Sequence, residues 1–236
     1  MKLMNLLKRI YWVLSAQFGL DPLKTFNSLR GLPRYVRDLL YFRMKYSGRL
    51  ELTPCLFDWY EEGGATKNEY FWQDLLVAQD IFKRSPKTHA DIGSRIDGFV
   101  AHISCFRDLD VFDIRDMQSV IPGVRFRQLD AMCEKSVSAY LRKNMLRYDS
   151  LSCLHALEHF GLGRYGDTVN PLGYRRGIEN LSKFLEHGGR LYLSVPIGRE
   201  RVEFNANWVF NPGTILEAAS AAGLNLYELT VLDQQG

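Results

Sequence analysis

Two clusters in this chain have residue types and spacings that suit chemistry. The first runs from His89 to Phe99 as His-Ala-Asp-Ile-Gly-Ser-Arg-Ile-Asp-Gly-Phe. Asp91, Gly93, Ser94 and Gly98 follow a segment with strand character and precede the apolar Phe99-Val100-Ala101. This is the pattern of a strand turning into a helix over a bound nucleotide, where glycines let the backbone approach the ligand. An ordinary strand-to-helix turn with Asp91 as its cap is the alternative. The second cluster is His155-Ala-Leu-Glu158-His159. A histidine titrating near neutrality can take the proton of a hydroxyl as its oxygen attacks. His159 is the first candidate for that base and His155 the second, with Glu158 between them.

The surrounding pattern must place these clusters side by side. A helix is expected over Asn68–Lys83, ahead of the glycine turn. Strands are expected at Leu109–Asp113, Val124–Asp130, Tyr148–Leu154, Arg190–Pro196 and Leu224–Leu232. Helical stretches fall at Ser136–Met145, within Asn170–Glu186, and at Thr214–Ala222, the last stopped by Gly223. Gly188 and Gly189 read as a helix C-cap. Such alternation predicts an α/β fold whose central, mostly parallel sheet is flanked by helices. Ligands in such sheets sit at the carboxyl ends of strands. Asp113 ends the second strand about twenty residues past the glycine turn, where an acid bonds ribose hydroxyls. Asp130 ends the third, and His155, Glu158 and His159 follow the fourth.

At 236 residues, 46% hydrophobic and 24% charged, the chain has the make-up of one globular core with an appendage. Its four cysteines form no CxxC pair, which argues against a zinc finger or disulfide framework and suits a reducing compartment. The apolar runs are too short for a bilayer span, and no signal-peptide cleavage pattern follows the first helix. The expectation is a cytoplasmic protein. From Met1 to Arg49 ten basic residues face two acids, Asp21 and Asp38. Leu3, Leu6, Leu7, Ile10, Val13 and Leu14 recur at helical spacing there, Pro22 and Pro33 punctuate the head, and Asp38–Tyr46 forms a further short helix. A basic helical extension over 1–64, joined through Trp59–Gly64 to a domain over 65–236, is therefore expected. Residues 1–49 suit an anionic partner: peripheral contact with a membrane at its inner face, nucleic acid, or a phosphorylated glycan carrier. Packing of the apolar face on the protein's own body is the alternative.

The glycine turn resembles the first motif of class I S-adenosylmethionine-dependent methyltransferases, Asp/Glu-x-Gly-x-Gly-x-Gly, with Arg95 and Asp97 at the places of the later glycines. Ser152–His159 is similar to that superfamily's fourth-strand motif, which often ends in Leu-Glu-His. Gly188–Pro196 is similar to the fifth strand, which follows a Gly-Gly turn. The resemblance covers roughly residues 68–232 and implies a Rossmann-like methyltransferase fold. It also implies S-adenosylmethionine held by Asp91, Gly93, Ser94, Gly98, Asp113, Asp130 and His155. Within the superfamily the chain looks most like a domain-of-unknown-function group that accompanies glycan biosynthesis enzymes. The segments that carry this are Tyr70–Gln79, His89–Ser94, Leu154–His159 and Val195–Gly198.

The expected activity is O-methyl transfer to a sugar hydroxyl of a glycan, or of a lipid-linked or nucleotide-linked saccharide. The loops Gly161–Arg176 and Gly198–Asn211, with their arginines, asparagines and Trp208, would shape the acceptor pocket. A catalytically inactive methyltransferase-like scaffold is the second reading, and a nucleotide-sugar or NAD-type enzyme the third. Nucleic acid is not expected as substrate, because no Asn/Asp-Pro-Pro-aromatic motif is present. His155-x-x-Glu158-His159 also spells the pattern of inverted zinc peptidases, but Gly161, Gly163 and Gly166 break the long helix those need. Some quinone-pathway O-methyltransferases resemble this region and bind a divalent ion there, which would place Mg2+ at His155, Glu158 and His159. A class I methyltransferase closes with an antiparallel seventh strand. This chain stops at Asp233–Gly236 where that strand would begin, so either a truncated chain or a shortened sheet is expected.

Overall fold

A computed structural model describes residues 2–61, 68–144 and 146–232. They fall into two units, 1–65 and 66–236. The expected boundary between residues 64 and 65, and Glu62 to Gly64 of the expected joint, lie outside the described residues. So does the chain end at Asp233–Gly236.

The larger unit is built on a five-stranded sheet. Its strands are β1 (His89–Ile92), β2 (Leu109–Asp113), β3 (Val124–Gln128), β4 (Tyr148–Cys153) and β5 (Leu185–Leu193). Their order is β3-β2-β1-β4-β5, and every pair is parallel. The chain starts in the middle, runs outward to β3, then returns to lay β4 against the other side of β1. That reversal opens a crevice at the carboxyl ends of β1 and β4. Helices cover both faces: α3 (Glu69–Arg84), the short α4 (Ala101–Ser104), α5 (Glu134–Asn144), α6 (Gly173–Phe184) and α7 (Pro212–Ala221). They follow α1 (Lys2–Trp12) and α2 (Pro22–Lys45) of the smaller unit along the chain.

Coverage on both faces explains why β1 and β4 are mostly buried rather than alternating. Neighbouring residues of β2 point to opposite cores. Phe112 packs with Tyr140, Leu151 and Phe184 on one side, and Val111 with Ile81, Phe99 and Ile103 on the other. Asn68 caps α3 by accepting from the Tyr70 N–H at 2.9 Å.

The strand and turn assignments need three corrections. First, α6 ends at Phe184 and β5 begins at once, so Gly188 and Gly189 do not cap a helix. They lie where the β4–β5 register jumps from Tyr148↔Leu185 to Ser150↔Arg190, and Gly188 takes the positive φ (+79°) that this irregularity needs. Second, Gly198–Asn211 is not a plain loop. It holds an antiparallel hairpin of β6 (Arg201–Glu203) and β7 (Asn207–Val209). Third, Leu224–Leu232 forms no strand. Its apolar residues Leu226, Leu229 and Val231 are exposed.

The smaller unit holds α1 (Lys2–Trp12), continued by a wide helical turn to Gln17, and α2 (Pro22–Lys45). Asp21 caps α2, accepting from Leu23 N–H and Lys24 N–H at 3.0 Å each, with Pro22 in the first turn. Pro22 therefore starts a helix, and Pro33 sits inside it, so the expected separate helix at Asp38–Tyr46 is the end of α2. The carbonyl deprived of a partner by Pro33 belongs to Leu29, an exposed residue that water can serve. Gly31 is buried against the Leu56 carbonyl, where a Cβ would collide.

Candidate functional site

A cavity of about 430 Å³ opens at the carboxyl ends of β1 to β4. Its wall includes Gly93 and Ser94 after β1, Asp113 and Arg115 after β2, Asp130 after β3, and His155 and His159 after β4, with Tyr165 beyond. Most of the residues singled out in the sequence thus meet in one place.

Three of them, Asp91, Gly98 and the buried Glu158, do not line it. Asp91 is fully buried and points into the sheet. It accepts from Ser94 N–H (3.0 Å), Ser94 O–H (2.6 Å) and Ser152 O–H (2.5 Å). Burial pushes its carboxyl up to about 6. Its role is to pin the glycine turn. Gly98 likewise serves packing, because a Cβ there would lie 2.5 Å from Asp74 Oδ2. Gly93 lines the cavity with φ +75°, and a Cβ there would press on the Ala156 Cβ at 2.9 Å.

Asp113 is one of the acids that line the cavity. It accepts from the Arg115 backbone N–H (2.8 Å) and from the guanidinium at Nε (3.0 Å) and Nη2 (2.7 Å). Arg115 in turn lies over the Tyr165 ring, 4.4 Å from its centroid. Asp130 accepts from Met132 N–H at 2.8 Å. Beside it Phe126, Leu129, Ala131 and Met132 form an apolar wall.

The two histidines have different surroundings. His155 takes a left-handed backbone conformation (φ +55°), rare for a residue with a side chain. Its ring packs on Tyr70 at 4.1 Å, and Nε2 lies 3.5 Å from Asp74 Oδ1. Both of those atoms are buried without a hydrogen-bond partner. Tyr70 and Asp74 are four residues apart on α3, so they share one helical face. His159 sits in a single 3₁₀ turn, Leu157–His159. Its Nδ1 lies 2.7 Å from the Ala206 carbonyl, which has no proton, so Nδ1 donates and Nε2 is left as the acceptor. Burial holds the His159 imidazole down at about 4 and pushes Glu158 up to about 7. Glu158 Oε1 is 4.0 Å from His159 Nε2.

This geometry removes the divalent-ion expectation. Among the described residues no three His, Cys, Asp or Glu side chains converge on a metal position. His155 turns to Asp74 and Tyr70, while His159 is tethered to Ala206. The 3₁₀ turn also lacks the long helix of a zinc peptidase. Of the expected acceptor loops, Tyr165 and Asp167 reach the cavity. Asp167 ties its loop by accepting from the Gly161, Gly163 and Tyr165 N–H groups. Trp208 is a packing residue, stacked on Phe210 and donating to the Phe160 carbonyl at 3.3 Å. Sequence reading missed Asp74 and Tyr70 as site neighbours, and Arg115 altogether. The Tyr70/Asp74 spacing was the available signal.

Comparison with known proteins adds the following. Residues 111–225, from β2 past α7, match the family model described as "Caenorhabditis protein of unknown function, DUF268". The match fits the expected resemblance to such a group and contains nothing about glycans. No curated protein matches the chain. Among solved structures it is similar to PigF with SAH at 12% identity, covering 94% of this chain and 90% of that one with a TM-score of 0.47. It is also similar to the Burkholderia thailandensis 1,6-didemethyltoxoflavin-N1-methyltransferase with S-adenosylhomocysteine (14%, 70% and 69%, TM-score 0.44). A third is the N-terminal domain of EvdMO1 in the presence of SAH and D-fucose (10%, 80% and 86%, TM-score 0.43). Identities and scores this low leave activity to be argued from the chain's own residues.

Proposed function

We propose that the larger unit is an S-adenosylmethionine-dependent O-methyltransferase acting on a sugar hydroxyl of a glycan, or of a lipid-linked or nucleotide-linked saccharide. The observation that carries this reading is the single cavity shared by the Gly93 turn, the Asp113 carboxylate and the His159 imidazole. The residues present fit an adenosyl group. Asp113 offers two acceptor oxygens to ribose hydroxyls, the Phe126–Met132 wall offers an apolar slot for adenine beside Asp130, and Gly93 clears the backbone approach. The cofactor supplies an activated methyl group when bound. The chain's task is then alignment and removal of one proton. His159 is neutral at pH 7 and keeps Nε2 free to accept the hydroxyl proton, while the nearby Glu158 carboxylate stabilises the resulting imidazolium. His155, held between Tyr70 and Asp74, lines the same wall as a positioning residue.

The inactive-scaffold reading draws on one observation, the Arg115 guanidinium that already occupies Asp113. The two readings separate in a transfer assay with methyl-labelled S-adenosylmethionine and a panel of saccharides. The proposal expects label in at least one saccharide and its loss in His159→Ala, by about a hundredfold or more. Glu158 ionises near pH 7, so the rate should rise through that pH, and Glu158→Gln should flatten the rise. Failure of the folded chain to bind the cofactor, with no transfer to any saccharide, would favour the scaffold.

A further inference from the structure

The smaller unit carries an apolar stripe that the larger unit's chemistry does not use. Along α2, Phe26, Leu29, Leu32, Val36, Leu40 and Met44 recur at steps of three and four, so they share one face. Each is 44–78% exposed. The opposite face is the covered one. There Gly31 admits the Leu56 carbonyl, and Lys24, Arg30 and Arg34 lie over the rings of Phe57, Tyr60 and Trp59 at 5.1, 4.5 and 4.1 Å. Leu6, Leu7, Ile10 and Val13 make a second exposed stripe along α1 and the turn that continues it. The Tyr11 hydroxyl donates to Asp21 at 2.9 Å, tying the end of α1 to the start of α2.

Charge decides what covers these stripes. Ten basic residues stand against two acids from Met1 to Arg49. Both acids are engaged, Asp21 by its capping bonds and Asp38 by Arg37 at 2.9 Å. A second copy of the chain would set this charge against itself. Nucleic acid would answer the charge but not the apolar residues. A bilayer with anionic headgroups answers both, taking the leucines into its acyl boundary while arginines reach the phosphates. Among the described residues no helix is long and apolar enough to cross a membrane, so the helices would lie in the surface. We infer that α1 and α2 form an anionic-membrane docking surface, with the Phe26–Met44 stripe of α2 as its principal apolar contact. Two proline-broken fragments could not present such a stripe; the unbroken α2 can.

The test is co-sedimentation of the full chain with phosphatidylcholine vesicles, with and without a third of phosphatidylglycerol. Binding to the anionic vesicles alone, weakened by added salt, is expected. Arg37→Glu with Arg43→Glu should lower the partition coefficient by about thirtyfold or more, since each surface cation contributes about fivefold. Leu29→Ser with Leu40→Ser should lower it as well, without lowering the melting temperature. Cofactor titration of the same samples, unchanged between variants, keeps the result separate from the methyltransferase reading. Absence of vesicle binding would overturn the inference. So would serine variants that dissociate a dimer, or that melt several degrees lower, since either places protein over the stripe.

Discussion

Under the proposed function, Arg115 is the residue on which cofactor affinity would turn. Its guanidinium makes two bonds to Asp113 and rests on Tyr165, so a ribose hydroxyl has to compete with it for the carboxylate oxygens. The pair is half-exposed on the arginine side, so the contest is worth roughly 1 kcal/mol, or several-fold in affinity. Arg115→Ala should therefore tighten S-adenosylhomocysteine binding several-fold by calorimetry. Weaker binding would mean that Arg115 holds the ligand instead of competing with it. Asp113 was legible in the sequence because an acid at the end of a second strand is fixed by spacing. Its partner was not, because Asp-x-Arg is a common string and only the turn after β2 brings the guanidinium back to the carboxylate. Asp91 misled for a related reason. Spacing puts it at the turn, but only the neighbouring strand, with Ser152, decides that its carboxylate faces inward.

At the scale of elements, the seam between β1 and β4 holds the site. Ser150 donates to His89 Nδ1 (2.9 Å), His89 Nε2–H donates to Ser152 Oγ (3.2 Å), and Ser152 donates to Asp91. Ser94 continues the chain by donating to Asp91 and accepting from Leu154 N–H (3.0 Å). This buried relay fixes the glycine turn against the strand that delivers His155. Burial holds His89 down at about 3, below its ordinary 6.5. Its contribution to stability is therefore full above pH 6.5 and is lost as pH falls toward 3, because only the unfolded chain takes the proton. Asp91, raised to about 6, and Glu158, raised to about 7, act in the opposite sense: their contributions are full in acid and lost as pH rises through those values. The wild-type curve is thus partly cancelled. His89→Gln should change the difference in unfolding free energy between pH 7 and pH 5 by about 2 kcal/mol relative to wild type. An unchanged difference would mean that His89 is protonated in the folded chain.

The whole molecule shows which kinds of signal survive in a sequence. The parallel sheet was readable because β1, β2, β4 and the helices between them carry strong patterns of burial and spacing. The register slip at Gly188, the β6–β7 hairpin and the absence of a strand at Leu224–Leu232 were not, because each depends on which strand is available as a neighbour. Pro33 was read as a break because intrinsic preference opposes proline inside a helix. The Leu56–Tyr60 segment packed on Gly31, Arg30 and Arg34 supplies tertiary support that composition does not display. The site follows the same rule. Sheet topology gathers Gly93, Asp113, Asp130 and His159, which spacing could anticipate. The approach of α3 to β4, with Tyr70 and Asp74 against His155, needed the fold.

The central claim is that this cavity holds an adenosyl cofactor through Asp113. Calorimetric titration of the full chain with S-adenosylhomocysteine, beside Asp113→Ala and Asp113→Asn, tests it most directly. The account predicts micromolar binding by the wild type, weakened at least tenfold in both variants while their melting temperatures stay near that of the wild type. Absence of binding by the folded wild-type chain, or equal binding by the variants, would contradict it.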